Sequence, residues 1–83
     1  MKIRYFAWMK RTVAIPEEEV TPPDDIDTVG DLIVWLRSRS PGHAEALAEG
    51  AAFGAAVDQR TATFDVKLAG VREVAFFPPF TGG

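Results

Sequence analysis

Residues 74–83 read Val-Ala-Phe-Phe-Pro-Pro-Phe-Thr-Gly-Gly, and they are the most informative part of the chain for its fold. Its first four residues are apolar and rich in β-branched and aromatic side chains, which is typical of a buried strand. Pro78 and Pro79 lack a backbone N–H and have a fixed φ, so the strand has to end there and continue as a stiff, extended arm. Gly82 and Gly83 have no side chains and the widest backbone freedom of any residues. We therefore predict a tail that has to reach into a confined site.

The length and composition predict one globular domain. The chain has 83 residues, of which 47% are hydrophobic and 25% charged, which is ordinary for a folded protein with one core. We expect a single domain over residues 1–83 with a flexible tail over residues 78–83. The sequence contains no cysteine, which excludes disulfides, zinc-thiolate sites and a thiol nucleophile. If this protein handles sulfur, the sulfur has to be carried by another group.

Charge and hydropathy limit the partners and the location that we expect. The net charge of −3 argues against nucleic-acid binding, which needs a concentrated basic face. The first eight residues carry charges where a signal peptide needs apolar residues, and no run approaches the roughly 18 apolar residues of a membrane span. We therefore expect a cytoplasmic protein without a nucleic-acid or membrane partner.

Residues 2–8 alternate in a way that predicts a first strand with a core side. One face carries two large aromatic residues beside an arginine, which is seldom buried, so we expect this face to point away from the core. The reverse orientation, with a helix covering the aromatic face, is the alternative. The expected core side is Ile3, Tyr5 and Ala7, and the expected outer side is Arg4, Phe6 and Trp8.

The middle of the chain predicts an edge strand and one main helix. Residues 9–14 are ambiguous between a turn and one helical turn. Residues 15–21 are expected to pair with the first strand. They would form an edge strand, because Pro16 cannot donate a hydrogen bond to a neighbouring strand. Thr28 is placed to cap a helix, with Asp31 three residues later as in a capping box. The helix is expected to end at Ser-Pro-Gly, residues 40–42. Its apolar stripe is Val29, Leu32, Ile33 and Leu36.

The remaining pattern completes an α+β fold in which a mixed sheet is crossed by one main helix. We predict a further short helix over residues 44–49, strands over 53–57, 60–63 and 73–77, and a turn at Asp58-Gln59. In the last strand Val74 and Phe76 share one face, and Ala75 and Phe77 share the other.

The sequence Phe-Phe-Pro-Pro-Phe-Thr-Gly-Gly at residues 76–83 resembles the C-terminus of the MoaD/ThiS family of ubiquitin-like sulfur carriers. Within this family it is most similar to the carriers that serve molybdopterin synthase. Shorter similarities at residues 5–7, 28–32 and 55–58 occur at matching spacings. The resemblance implies the β-grasp fold, with the first and last strands side by side at the centre of the sheet. The chain departs from the family pattern at Asp58, where Asn is usual, and at residues 70–72, where Gly-Val-Arg replaces an acidic turn.

The resemblance also implies the chemistry of the tail. A free α-carboxylate has a pKa of about 3.5, so it is ionised and a poor electrophile at neutral pH. An adenylyltransferase similar to ubiquitin-activating enzymes would use ATP to adenylate Gly83, with Gly82 keeping the approach narrow. A sulfur donor then replaces AMP and leaves a thiocarboxylate. This group donates sulfur to cyclic pyranopterin monophosphate in molybdenum cofactor biosynthesis, and the carrier itself binds no cofactor and no metal.

The partner that the resemblance implies is the large subunit of molybdopterin synthase, in a heterotetramer. The carrier is then a sulfur-donating subunit with no active site of its own. A contiguous apolar patch next to the tail is the expected docking surface, since monomers rarely leave such a patch in water. The predicted partner-binding residues are Phe6, Trp8, Phe77, Pro78, Pro79, Phe80 and Thr81.

Three other functions remain open. A thiamine-pathway sulfur carrier is the nearest, although such chains are usually shorter and lack the Phe-Phe-Pro-Pro arm. A ubiquitin-like protein modifier would be joined through Gly83 to target lysines. A plain β-grasp interaction module would make no use of the glycines.

Catalytic or metal sites elsewhere in the chain are not predicted. His43 is the only histidine; we expect it on an exposed loop, and one histidine cannot build a metal site. Residues 17–19 are three glutamates on the predicted edge strand, which we interpret as a solvated face that deters edge pairing. Val34 and Trp35 lie off the helix stripe, and we favour a place beside the core for Trp35.

Overall fold

The first and last strands of the chain lie side by side at the centre of a five-stranded sheet. The structure is a computed structural model that describes residues 1–79. The sheet has the strand order β2-β1-β5-β3-β4; β1 and β5 are parallel, and the other neighbours are antiparallel. The strands are β1 (Lys2–Tyr5), β2 (Glu17–Glu19), β3 (Gly54–Val57), β4 (Arg60–Ala62) and β5 (Glu73–Phe77). The helices are α1 (Trp8–Val13), α2 (Val29–Arg37) and α3 (Pro41–Ala46).

The core lies between one face of this sheet and the main helix α2. Ile3 and Tyr5 on β1 pair with Val74 and Phe76 on β5, and all four are almost completely buried. The apolar stripe of α2, Val29, Leu32, Ile33 and Leu36, belongs to the same buried cluster. This confirms the predicted orientation of β5 and of β1 up to Tyr5, whereas Ala7, also predicted on the core side, is exposed. The α+β architecture with one main helix is also confirmed.

The capping box predicted for α2 is present. The Thr28 hydroxyl accepts a hydrogen bond from the Asp31 amide at 3.2 Å, and the Asp31 carboxylate accepts one from the Thr28 amide at 3.2 Å. Hydrogen bonds from the amides of Asp27 and Thr28 lower the pKa of Asp31, which keeps its negative charge at the positive end of the helix.

The first strand is shorter than predicted, because the chain turns sharply at Ala7. Ala7 has φ 55°, a left-handed value that ends the strand and starts α1 one residue later. The expected strand over residues 2–8 is therefore wrong beyond Tyr5, and the ambiguous segment after it is a helix. Trp8, predicted on the outer strand face, is instead the first residue of α1 and packs against the core.

The segment after α2 also differs from the prediction. The main helix ends at Arg37, and Ser40 begins the next helix, accepting a hydrogen bond from the His43 amide at 3.1 Å. Pro41 occupies the first turn of α3, where its missing N–H costs nothing. The pattern Ser-Pro-Gly predicts the end of the main helix, but here it starts a capped helix, because Ser40 caps α3 and Pro41 fits its first turn. As a result the short helix begins three residues earlier than expected.

The β3–β4 hairpin turns at Asp58 and Gln59, as predicted. Both have positive φ, 47° and 71°, as in the two-residue turns that match the twist of paired strands. The Asp58 carboxylate also accepts hydrogen bonds from the amides of Arg72 and Glu73, each at 3.0 Å. The residue that departs from the family pattern thus anchors the start of β5.

None of the helices within residues 1–79 has the length and apolar character needed to cross a membrane.

Phe76 and Phe77 provide a direct test of the two sheet faces. Phe76 is 0% exposed, stacks on Tyr5 at 6.2 Å between ring centroids, and meets Phe53 edge-on at 5.9 Å. We expect Phe76→Ala to lower the free energy of unfolding by about 3–5 kcal/mol, because it opens a core cavity. The matched variant Phe77→Ala, on the opposite face, should cost clearly less. Thermal and denaturant melts of both variants measure this, and equal losses would contradict the assignment of the faces.

Candidate partner-binding surface

The face of the sheet turned away from α2, here called the outer sheet face, changes in character along the strands. Strand alternation places on it Lys2 and Arg4 of β1, Glu73, Ala75 and Phe77 of β5, and Gly54 and Ala56 of β3. Phe6 extends this row, because its amide donates to the Phe76 carbonyl at 3.1 Å and continues the β1–β5 pairing. The face therefore runs from charged residues at the starts of β1 and β5 to aromatic residues at their ends.

The charged end is partly paired within the sheet. Glu17 and Glu19 of the edge strand lie opposite Arg4 and Lys2, and the Lys2 ammonium is 3.4 Å from the Glu17 carboxylate. Lys2 is also the register partner of Glu73 on β5. The exposed Lys2–Glu17 pair contributes little stability, but it compensates part of the charge at this end without a partner.

The apolar end lies where β5 leaves the sheet. Phe6 is 40% exposed, and its ring lies 5.0 Å from the Arg4 guanidinium carbon, within range of a cation–π contact. Phe77 is half-buried, its ring resting on the backbone of Gly54. Between these two aromatic residues and the charged end, the central positions hold only Ala56 and Ala75. Ala75 is buried and Ala56 is half-buried, so the result is a narrow apolar floor bordered by two rings.

The predicted tail begins directly after the apolar end of the outer sheet face. Pro78 is half-buried and Pro79 is exposed, directly after the last residue of β5. Because β5 is held by β1 on one side and β3 on the other, the arm starts from a fixed point. Phe80, Thr81, Gly82 and Gly83, also predicted as site residues, lie outside the described residues.

The structure places Phe6 and Phe77 on the same face of the sheet, with Pro78 and Pro79 directly after it; their contact with a partner stays a prediction. It does not bring Trp8 onto the same face, because that residue has left the strand; its contact with a partner stays a prediction. The sequence pattern does not single out Gly54 or the two alanines as part of this surface. Their small size could have indicated a flat surface, but only once the strand register was known.

Comparisons with known proteins agree with this geometry. The model of the ThiS family matches residues 3–83. The chain is 39% identical over 83 residues to the molybdopterin synthase sulfur carrier subunit of Escherichia coli strain K12, covering 100% of this chain and 99% of that protein.

The chain belongs to the ThiS family.

Two solved structures of similar proteins support the fold. A Pyrococcus furiosus protein assigned as subunit 1 of a molybdopterin converting factor superposes with a TM-score of 0.72 at 27% identity, over 94% of each chain. SAMP1 from Haloferax volcanii superposes with a TM-score of 0.74 at 25% identity, over 100% of this chain and 98% of that one. The family resemblance and the β-grasp fold expected from the tail of this ThiS-family chain are therefore confirmed.

A buried polar cluster lies on the core side of the same central strands in this ThiS-family chain. Glu18 of β2 points inward, and one of its carboxylate oxygens, Oε2, accepts a hydrogen bond from the Tyr5 hydroxyl at 2.7 Å. The same oxygen lies 2.6 Å from His43 Nε2, and His43 Nδ1 lies 2.7 Å from the Ser40 hydroxyl. The Arg39 side chain approaches the other carboxylate oxygen at 3.7 Å. The cluster joins the edge strand to α3 through the central strand.

This cluster corrects two expectations. His43 is buried in α3 rather than exposed on a loop, because its two ring nitrogens find partners on Ser40 and Glu18. The three glutamates do not form one solvated face, since a strand turns its middle residue to the opposite side. Alternation along the edge strand could have indicated that Glu18 points inward. Its pairing with His43 could not have been predicted in the same way, because His43 lies 25 residues away in the sequence.

The environment of Glu18 lowers its pKa from the ordinary 4.5. Burial acts in the opposite direction, but hydrogen bonds from His43 and Tyr5, and the charges of His43 and Arg39, outweigh it. Burial also raises the pKa of the Tyr5 phenol, and the hydrogen bond to Glu18 raises it further, so the phenol stays protonated as a donor.

The lowered pKa of Glu18 predicts how the stability of the protein depends on pH. A carboxyl whose pKa is lower when folded contributes stability above its unfolded value of 4.5, and loses it as the pH falls through the folded value. We expect Glu18→Gln to lower the free energy of unfolding by roughly 1–2 kcal/mol at neutral pH. This deficit should shrink as the pH falls below 4.5.

Denaturant melts at a series of pH values measure this deficit. Glu45→Gln, on the exposed side of α3, is the matched control and should behave as the wild type. A Glu18→Gln deficit that stays constant as the medium is acidified would show that the charge of Glu18 contributes nothing.

Proposed function

We propose that this protein is the sulfur-carrier subunit of a molybdopterin synthase. The observation that carries the proposal is the 39% identity to the Escherichia coli sulfur carrier subunit over the whole chain. The sequence of the tail and the fixed start of the arm at Pro78 support it.

The proposed chemistry takes place at the α-carboxylate of Gly83. An oxygen of this carboxylate attacks the α-phosphorus of ATP on an activating enzyme and releases pyrophosphate. Sulfide (HS⁻), delivered by a sulfur donor, then attacks the acyl carbon of the adenylate, the carbon–oxygen bond to AMP breaks, and loss of the remaining proton on sulfur leaves the thiocarboxylate. The sulfur nucleophile is thereby built without a cysteine, in agreement with a sequence that has none.

The sequence after the last strand supports this role. Residues 78–83 number six, and six residues span at most about 20 Å when extended. Pro78 and Pro79 restrict the start of this segment to extended conformations. Such a start helps a carrier that has to place Gly83 inside another protein, because fewer conformations are lost on entry.

The outer sheet face is the surface that we propose for docking. The proposed partners are the large subunit of molybdopterin synthase, in a heterotetramer, and the activating adenylyltransferase. The apolar end of this face adjoins the arm, so a partner that holds Phe6 and Phe77 also receives the tail. Central aromatic side chains commonly contribute most of the binding energy of such interfaces. The cytoplasmic location expected from the sequence stays a prediction.

The mass of the protein isolated from its native host tests the proposal. A fraction in which one oxygen is replaced by sulfur, located at Gly83 by fragmentation, is expected. A ladder of conjugates to other proteins would instead support a ubiquitin-like modifier, and an unmodified terminus throughout would support a plain interaction module. Loss of molybdenum cofactor in a deletion strain separates this carrier from a thiamine-pathway one, whose loss would produce thiamine dependence.

The length of the tail generates one prediction. Deleting Gly83, or adding one residue after it, should abolish adenylation while leaving the melting curve unchanged, because neither change touches the buried core of residues 1–79. Adenylation is measured by ATP–pyrophosphate exchange with the activating enzyme. Normal exchange by the Gly83-deleted protein would contradict the proposed role of the terminus.

The docking surface generates another prediction. Phe77→Ala should weaken binding to the large subunit by ten-fold or more, which corresponds to about 1.4 kcal/mol. Isothermal calorimetry or surface plasmon resonance with the purified large subunit measures the affinity. Val34→Ala is the matched control, since Val34 is 61% exposed on α2, away from this face. Equal affinities of Phe77→Ala and wild type would exclude the outer sheet face as the docking surface.

A further inference from the structure

The ring of Phe77 occupies the space that a side chain at Gly54 would need. The two residues are register partners on the neighbouring strands β3 and β5. A Cβ atom added to Gly54 would lie 2.7 Å from Cε1, 3.0 Å from Cζ and 3.5 Å from Cδ1 of the Phe77 ring. The shortest of these distances is closer than carbon atoms approach without repulsion. The Phe77 ring therefore lies over position 54 only because that position has no side chain.

Backbone conformation does not explain the glycine at this position. Among the glycines within residues 1–79, positive φ values occur at Gly50 and Gly70 and not at Gly54. A glycine inside a strand also lowers stability by roughly 0.5–1 kcal/mol relative to alanine. Gly54 is unfavourable for strand stability, and its own φ does not require a glycine. This points to a role in shaping the outer sheet face.

We propose that Gly54 is a positioning residue for partner docking, acting through Phe77. It lets the Phe77 ring lie on the sheet, so that the apolar end of the outer sheet face stays shallow and continuous with Ala56 and Ala75. Such a floor fits a partner that presents broad apolar side chains on a flat surface. On the partner, this surface would lie next to the site that receives the tail. This inference rests on the proposed docking of the outer sheet face.

The proposed role can be separated from folding because of where the close contact lies. The atoms that a Cβ at Gly54 would meet are at the far end of the Phe77 side chain, which can swing away without moving the backbone. The displaced ring would then stand out from the sheet and obstruct a flat partner. Gly54→Ala should therefore keep or slightly raise the thermal midpoint while weakening docking, a combination that a purely structural role would not produce.

A double-mutant cycle with the purified large subunit tests the inference. We expect Gly54→Ala to weaken binding about five-fold and Phe77→Ala at least ten-fold. The double variant should bind no more weakly than Phe77→Ala alone, because the added methyl group has no ring left to displace. Gly30→Ala is the matched control; its Cβ would lie 3.4 Å from the nearest atom, an ordinary contact in α2, and should leave docking unchanged.

A measurement on the carrier alone completes the test. The Phe77 ring should shift the α-proton resonances of Gly54 in the wild type, and this ring-current shift should disappear in Phe77→Ala. Normal docking by Phe77→Ala would overturn both the docking surface and this inference. Weak docking by Phe77→Ala together with normal docking by Gly54→Ala would overturn this inference alone. A fall in the thermal midpoint of Gly54→Ala that accompanies weaker docking would reduce Gly54 to a structural residue.

Discussion

The parallel pairing of β1 with β5 is the interaction on which the rest of the structure depends. It places Ile3 and Tyr5 beside Val74 and Phe76, four side chains that α2 covers. Because side chains alternate along a strand, burying this set turns Phe6 and Phe77 to the opposite face. A slip of one residue would exchange the two sets, so the core and the proposed docking surface are specified by the same register.

Because of this register, adjacent residues of β5 serve different purposes: one stabilises the core and the next faces the proposed docking surface. Phe76 is completely buried, whereas Phe77 lies on the outer sheet face and leads into the arm. The domain can thus expose apolar side chains at one end of a sheet without weakening its core. At the other end Lys2 pairs with Glu17. The apolar end is therefore the part of the face where a partner would remove the most apolar surface from water.

Tyr5 connects the apolar core to the polar cluster. Its ring stacks on Phe76, and its hydroxyl reaches Glu18 on the edge strand. A carboxylate that is largely removed from water is costly unless it is hydrogen-bonded, and here Tyr5 and His43 both hydrogen-bond to Glu18. The cluster therefore fixes the position of the edge strand and of α3 relative to the centre of the sheet. A well-placed edge strand in turn holds β1, which forms half of the central pair.

Features that depend on residues close together in the chain could be predicted from the sequence. Alternation predicted the faces of the central strands, the Thr28–Asp31 spacing predicted the helix cap, and the residues of the tail identified the family. Three features became apparent only in the folded protein: the end of β1 at Ala7, the burial of His43 against Glu18, and the position of the Phe77 ring over Gly54. The last two join residues far apart in the sequence, and Ala7 adopts a left-handed φ that its residue type does not favour. Such features arise from packing between elements, which a pattern along one segment does not contain.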